Sequence, residues 1–471
     1  MPDMTSGIQT ALSSLLANSQ EIQIIEHNVA NVNTPGYHKQ DGILATALPK
    51  PVNGWAPGVG AGQQGEGVTV ETIQRYSNNF LDTRFRAATG EASDWDARSQ
   101  VLGQLQDITS ETGDNGLAAQ LTQFWASWSS LANDPTNQSI RSQIMDQASA
   151  LADTFNGRAS QLKQLQSDQN QAIATQVTQV NTTASQVANL NKEITRLTAL
   201  GQQPNDLLDQ RDQLLDTLAG AAGATSSLQA DGSVIVSVGG HTLVSAGNAN
   251  PLQTSPDPGK PGMFQVTWKD GQALDAPSGT LNGLFTARDK DIPAQLTALN
   301  QLAGQVATSI NTLHTGGVAP NGATGLDFFD STALVAGDEA ATLRVNPNLD
   351  AASIATAQNG GQPGDSTIAA QIAALGTSPA MGGTTFNDFI NTQATTLAND
   401  LNRAQSNSSR NSQVLQALTT QRASETGVSL DEEAANLTKY QRAYEAAARI
   451  MTAYDSMLST IINGIGTSAG S

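Results

Sequence analysis

The 471-residue chain contains no cysteine. Disulfide staples, thiolate nucleophiles and thiolate metal ligands are thereby excluded. Aromatic residues make up 4 % of the chain and hydrophobic residues 38 %. Both are low for one large globular core and fit long, thin helices that share narrow seams. Positive charge is scarce as well: 23 Lys and Arg face 42 Asp and Glu, a net charge of −19. Such a surface repels nucleic-acid phosphates and anionic lipid headgroups. No apolar run approaches the roughly 18 residues needed to span a bilayer, so membrane insertion is not expected. The opening "MPDMTSGIQTALSS" has neither the basic region nor the apolar block of a cleaved secretory signal. Export, if it occurs, is expected by another route.

What is present is helical periodicity at both ends. Ile8, Leu15, Ile22 and Val29 are seven apart, with Ala11, Asn18, Ile25 and Val32 as a companion row. That spacing predicts a helix over about 5–31 with an a/d stripe. The stripe stops at "NVNTPGY", where Pro35 forbids continuation and Gly36 permits a positive φ. At the far end Leu430, Leu437, Tyr444, Met451, Leu458 and Ile465 repeat every seven, with Tyr440, Ala447, Tyr454 and Ile461 beside them and Glu433 interrupting that companion row. Ser429 is the expected cap there, with Asp431, Glu432 and Glu433 at the positive end of the dipole.

Between the ends the text divides. Residues 41–77 are rich in Pro and Gly and read as an extended linker that closes in the strand-like "GVTVETIQRY". Helical text fills 78–223, including Ile173, Val180, Val187 and Ile194 at heptad spacing and "PNDLLDQRDQLLDTLAG", where Asn205 is the expected N-cap. At about residue 224 the period changes to two, with Asp231-Gly232 and Asp270-Gly271 as hairpin turns. This marks a small β domain over 224–287. Helical text returns over 288–428. The expected fold is mainly α with an inserted small β domain: a long helical bundle whose terminal helices (1–40 and 429–471) pair as a coiled coil.

Candidate chemistry is thin. Gly60, Gly62 and Gly65 spell GxGxxG, but the dinucleotide fingerprint needs a strand before it and a helix after it, and neither is expected here. His27, His38, His241 and His314 are scattered without ligand spacing. Asp209, Arg211 and Asp212 read as surface ion pairs, and Trp125 and Trp128 as core. No catalytic, cofactor or metal residues are assigned, and an enzyme is not expected.

The segment from Ala11 to Tyr37, with Asn28, Asn31, Asn33, Thr34, Pro35, Gly36 and Tyr37 at its end, resembles the N-terminal signature of the bacterial flagellar axial proteins of rod, hook and junction. "TGVSLDEEAANLTKYQRAYEAAARIMTAYDSMLSTII" resembles their C-terminal helix. "PNDLLDQRDQLLDTLAG", "LANDPTNQSIRSQIMDQASALADTFN" and "NTLHTGGVAPNGATGLDFF" are similar to the hook-associated branch, and the outer part is shorter than in larger relatives. The resemblance implies a structural protein of the hook–filament junction. It would be exported unfolded by the flagellar type III pathway to the extracellular flagellum and assembled as a ring of subunits. The implied partners are further copies of the chain, the hook protein, hook-associated protein 3 and an export chaperone before secretion. Alternatives within the family are the hook subunit and the third hook-associated protein; a wall-cleaving hydrolase would need a catalytic constellation. Ile8, Leu15, Ile22 and Val29 are expected to meet the row of Leu437, Tyr444, Met451 and Leu458 as the assembly seam. Asn28, Asn31 and Asn33 are expected to hydrogen-bond locally and between subunits.

Overall fold

A computed structural model describes residues 2–51, 63–111, 113, 116–362 and 364–467. Helix α1 (Pro2–Ala30) ends in a turn where Gly36 takes φ +77°, a left-handed value that favours glycine. Strands β1 (Gln40–Thr46), β2 (Lys50–Pro51), β3 (Gln63–Gln64) and β4 (Val68–Arg75) follow; β1 pairs with β4 and β2 with β3, both antiparallel. The stretch expected as an extended linker therefore contains a β-ribbon. The physical reason is backbone pairing: the ladder satisfies N–H and C=O groups as the ribbon lies along α1. Ser13 Oγ sits 3.3 Å from both the Glu66 carbonyl and the Val68 N–H, tying helix to ribbon.

The helical part comprises α2 (Asn79–Thr109), α3 (Leu117–Asn133), α4 (Gln138–Ala199) and α5 (Asn205–Ala222). Asn78 and Asn137 cap α2 and α4 by accepting from backbone N–H groups. Then come β5 (Thr225–Leu228), β6 (Val234–Val238), β7 (His241–Ser245), β8 (Asn248–Ala249), β9 (Gln253–Pro256) and β10 (Phe264–Thr267). β5 to β8 form one antiparallel sheet in chain order, and β9 and β10 a hairpin. Helix α6 (Gly279–Thr286) runs through a π-turn at Ala287–Asp291 into α7 (Ile292–Thr315). Short elements follow: β11 (Gly317–Val318), α8 (Glu339–Thr342), β12 (Ala357–Gln358) and α9 (Thr367–Ala374). Two long helices close the chain, α10 (Phe386–Thr426) and α11 (Leu430–Thr467).

Helix α4 is the spine. Its 62 residues span about 93 Å at 1.5 Å per residue, and its two halves serve different cores. The first half buries Ile144, Leu151, Phe155 and Leu162 against Phe124 and Trp128 of α3, α7, and the Phe328-Phe329 pair. Trp128 is fully buried and edge-on to Phe124, so the tryptophans are core as expected. The second half turns Ile173, Val177, Val180, Ala184 and Val187 toward α5 and the β strands. Val234, Val236 and Val238 alternate inward along β6. The β unit thus has no core of its own: its apolar face is covered by α4 and α5, because small two-layer sheets cannot bury enough surface alone. Secondary structure and packing are those of a mainly α bundle carrying a small β region.

Candidate functional site

Helices α1 and α11 lie side by side and antiparallel. At one end Gly7 packs under the Tyr454 ring, and a Cβ there would meet the hydroxyl at 2.2 Å and push the tyrosine aside. At the other end Asn28 Nδ2 donates to Glu433 Oε2 at 3.3 Å. The most buried positions on α1 are Glu21 and Asn28, each 1 % exposed, with Ala11, Ala17, Asn18, Ile24 and Ile25 buried beside them. Ile8, Leu15, Ile22, Leu437, Met451 and Leu458 are half-buried. Val29 and Tyr444 are not: they are 41 % and 42 % exposed. A straight α-helix drifts about 20° per heptad, so Val29, three heptads beyond Ile8, has turned out of the contact. Tyr444 projects past a seam narrowed by Ala447. The side chain of Ile465 lies outside the described residues.

The turn after α1 is organised by Asn28, which is 1 % exposed. Its Oδ1 accepts from the Tyr37 hydroxyl at 2.8 Å and from the Gln40 N–H at 3.0 Å. Its Nδ2 donates to the Gln40 carbonyl at 2.8 Å as well as to Glu433. One side chain thus joins α1, the turn, β1 and α11. Asn31 accepts from Thr34 Oγ1 at 3.1 Å and donates to the His27 carbonyl at 3.0 Å, while Asn33 and Pro35 are exposed. Burial raises the Tyr37 hydroxyl far above its ordinary range, with Asp206 and Asp209 adding to it, so Tyr37 stays a donor. Lys39 reaches across to α11, 2.8 Å from Glu432 and 3.5 Å from Glu433. The Lys39 N–H also donates to the Thr426 carbonyl at the end of α10.

The other half of the joint is the acidic face of α5. Asp209 lies 2.7 Å from His38 Nδ1 and accepts from the His38 N–H at 3.1 Å. Arg75 Nη1 donates to Asp209 at 2.7 Å and Asp212 at 2.8 Å. Arg86 donates to Asp212 at 3.0 Å and Asp216 at 2.8 Å. Arg422 of α10 closes the chain, 2.7 Å from Asp216 and 2.9 Å from Asp82. The sequence reading of surface ion pairing is corrected here: Asp209 and Asp212 are each 7 % exposed and Arg211 3 %. Burial by itself would raise the Asp212 carboxyl, but Arg75 and Arg86 outweigh it and hold it below the usual carboxylate range. Asn205 is corrected too. It is the first residue of α5, after Pro204, and its amide reaches Gln40 Oε1 at 3.2 Å and the Ile73 carbonyl at 3.0 Å. The tertiary partner outcompetes the local cap.

The pairing of His38 with Asp209 has the look of a dyad, but His38 Nε2 is buried and meets no hydrogen-bond partner among the described residues. His314 accepts from the Ala355 N–H through Nε2, and burial lowers it. His241 stacks on Trp268. Among the described residues no group of three His, Asp or Glu could hold a metal ion, and no helix is long and apolar enough to cross a membrane. Gly60 and Gly62 lie outside the described residues, and Gly65 is followed by β4, not a helix. The joint ties α1 and the β1–β4 ribbon to α5, α10 and α11.

Both halves of that joint fall on segments that match known families. Residues 8–38 match the flagella basal body rod protein model and 420–464 the flagellar basal body rod FlgEFG protein C-terminal model. Residues 102–329 match the flagellar hook-associated protein FlgK helical domain. Flagellar hook-associated protein 1 of Bacillus subtilis is 29 % identical, with 98 % of each chain covered. The chain belongs to the flagellar hook-associated protein 1 family. The Escherichia coli relative in that family is 32 % identical over 69 % of this chain and 60 % of its own length. The Salmonella typhimurium relative is 27 % identical over 98 % of this chain and 100 % of its own. The solved structure of the flagellar hook junction protein FlgK from Burkholderia pseudomallei shares the fold, with TM-score 0.63 at 18 % identity over 74 % of this chain and 100 % of that one. Membership places the chain among structural proteins of the bacterial flagellum, which associate with other flagellar components.

Sequence reasoning pointed to the turn and to the two terminal helices. It missed Glu21, Lys39, Gln40, Arg75, Arg86 and Arg422 as joint residues. The legible signal was the spacing of Asp206, Asp209, Asp212 and Asp216, which puts four carboxylates along one face of α5.

Proposed function

We propose that this chain is a subunit of the hook–filament junction, forming a ring whose inner layer is built from paired α1 and α11 helices. The observation that carries this reading is the apolar surface the pair leaves uncovered. On α1, Leu12, Leu16 and Val29 are exposed; on α11, Leu430, Ile450, Met457 and Ile462 are. A helix pair apolar on its outer faces calls for further helices, and repeated heterologous contacts around an axis close into rings or tubes. Ile8, Leu15, Ile22, Leu437, Met451 and Leu458 close the contact within the subunit, while Val29 and Tyr444 face outward to neighbouring copies. The Asn28–Tyr37 turn, with Asn31, Asn33, Thr34, Pro35 and Gly36, sets the angle between this inner pair and the wall. Above and below the ring the neighbours are the hook protein and hook-associated protein 3. The chain reaches this site through the flagellar type III pathway, held unfolded by an export chaperone, and acts outside the cell. A chain without cysteine suits that passage.

The test is a deletion of the gene in its own host with complementation. Hooks without filaments and flagellin shed into the medium, both reversed by the wild-type chain, are expected. Intact filaments in the deletion strain would refute the reading.

A further inference from the structure

Two buried arginines among the described residues have no carboxylate within ion-pair distance: Arg141 and Arg211, 1 % and 3 % exposed. Arg141 is closed in by the Pro135 and Ile354 carbonyls and the Thr356 hydroxyl. Arg211 is different, because it borders a polar cleft of about 480 Å³ where the ribbon, α2, the end of α4 and the β unit converge. Its Nη1 donates to the Gly232 carbonyl at 2.6 Å and faces Asn191 Oδ1 at 3.4 Å, while its buried Nε has no acceptor.

Three guanidiniums converge here, two of them already engaged by carboxylates of α5. Arg75 and Arg86 line the same cleft, with Asp212 as its one carboxylate. Burial first, then the Arg75 and Arg86 charges, bring the Arg211 guanidinium down to about 10 against the opposing pull of Asp212. A guanidinium with an unpartnered Nε, bordering an open polar cleft, is suited to a planar or tetrahedral oxyanion, which takes N–H donors. Thr72, Thr83 and Ser226 add hydroxyls to the walls.

We propose that this cleft binds a small oxyanion, a carboxylate or a phosphate, with Arg211 as its principal donor. The bound group bridges β4, α2 and the loop before β6, so it stiffens the joint between the terminal arm and the outer β unit. Two sources share this chemistry: free phosphate, and an acidic side chain from a neighbouring copy of this Asp- and Glu-rich chain.

Calorimetric titration of the full-length monomer with sodium phosphate and, separately, sodium malonate at constant ionic strength tests it. Saturable binding of at least one anion is expected. Arg211→Gln should weaken it roughly tenfold or more, the loss of a charge-assisted hydrogen bond. Thr198→Glu is the second variant. Thr198 is exposed and lines the cleft 3.4 Å from where a Cβ on Gly232 would lie, so this change adds a competing carboxylate without entering the buried network. It should abolish binding with the far-ultraviolet spectrum unchanged. Tighter malonate than phosphate binding points to a neighbour's carboxylate; the reverse points to free phosphate. No saturable heat with either anion, or unchanged affinity in Thr198→Glu, overturns the proposal.

Discussion

The Tyr37 hydroxyl donates to Asn28 Oδ1 at 2.8 Å, folding the turn back onto the helix that precedes it. Nine residues of chain are closed by one buried amide, which at the same time holds β1 and α11. The direction in which the chain leaves α1 is therefore set by a side chain inside α1.

Asn28→Ala removes that clamp and leaves the Gln40 N–H and carbonyl without their partner. An unsatisfied buried group costs about 1–3 kcal/mol. The expected outcome is faster proteolysis within 31–45 and a fall in stability of that order, measured by limited digestion and urea unfolding. A digestion pattern identical to wild type would show that the turn is held by other means.

Asp212→Asn strips the shared partner from Arg75 and Arg86, both of which are largely buried. Breaking a buried pair from one side costs about 3–5 kcal/mol when a charge is left uncompensated, and Asp209 and Asp216, which stay with Arg75 and Arg86, put the expected loss at the low end. Guanidinium unfolding should report a loss in that range. Replacing Glu193, paired at the surface with Arg196 one turn on, should leave the unfolding midpoint essentially unchanged.

Glu21 supplies a pH dependence. Its side chain is 1 % exposed and Oε1 has no hydrogen-bond partner among the described residues. Burial, then Asp41 of β1, push the carboxyl up to about 7, while Lys439 of α11 and the Gly42 N–H oppose. Tyr440 of α11 faces the same site. The ordinary value for an exposed glutamate is 4.5. Between 4.5 and about 7 the docked arm holds a proton that the released arm does not, so docking weakens as pH rises through this window and is flat above it. Glu21→Gln removes this dependence. Hydrogen exchange at α1 should be slower in the variant than in wild type at pH 8 and similar at pH 4.5 or below; equal protection at pH 8 would refute the coupling.

Ile22→Asp or Leu437→Asp puts a charge into the contact between α1 and α11. Both residues are half-buried there. The expected outcome is a folded, soluble wall region, with a near-native helical spectrum, that fails to incorporate into flagella and does not restore motility to a deletion strain. Wild-type swimming with either variant would count against the seam.

Legibility from sequence tracked the range of the interactions. The turn at Pro35-Gly36 depends on neighbours a few residues away, and it is where the text puts it. The α4 heptad of Ile173, Val180, Val187 and Ile194 is wholly buried. Asn205 went astray because a good local cap is also a good tertiary donor, and Ile73 lies 132 residues earlier. Glu433 looked like a flaw in an apolar row. It occupies the seam because Asn28 and Lys39 come from the other end of the chain to meet it.

By itself the sequence determined the helices, the change of period that marks the β strands, and the two terminal stripes, because periodicity and turn chemistry act over a few residues. The tertiary structure alone decided which stripe face closes, which carboxylates on α5 are buried, and that one asparagine carries the joint. Those outcomes depend on which distant groups arrive to satisfy a desolvated charge or amide. Asn28 is the sharpest case: its position at the end of a helix was readable, but its four partners became visible only when residues 37, 40 and 433 were brought around it.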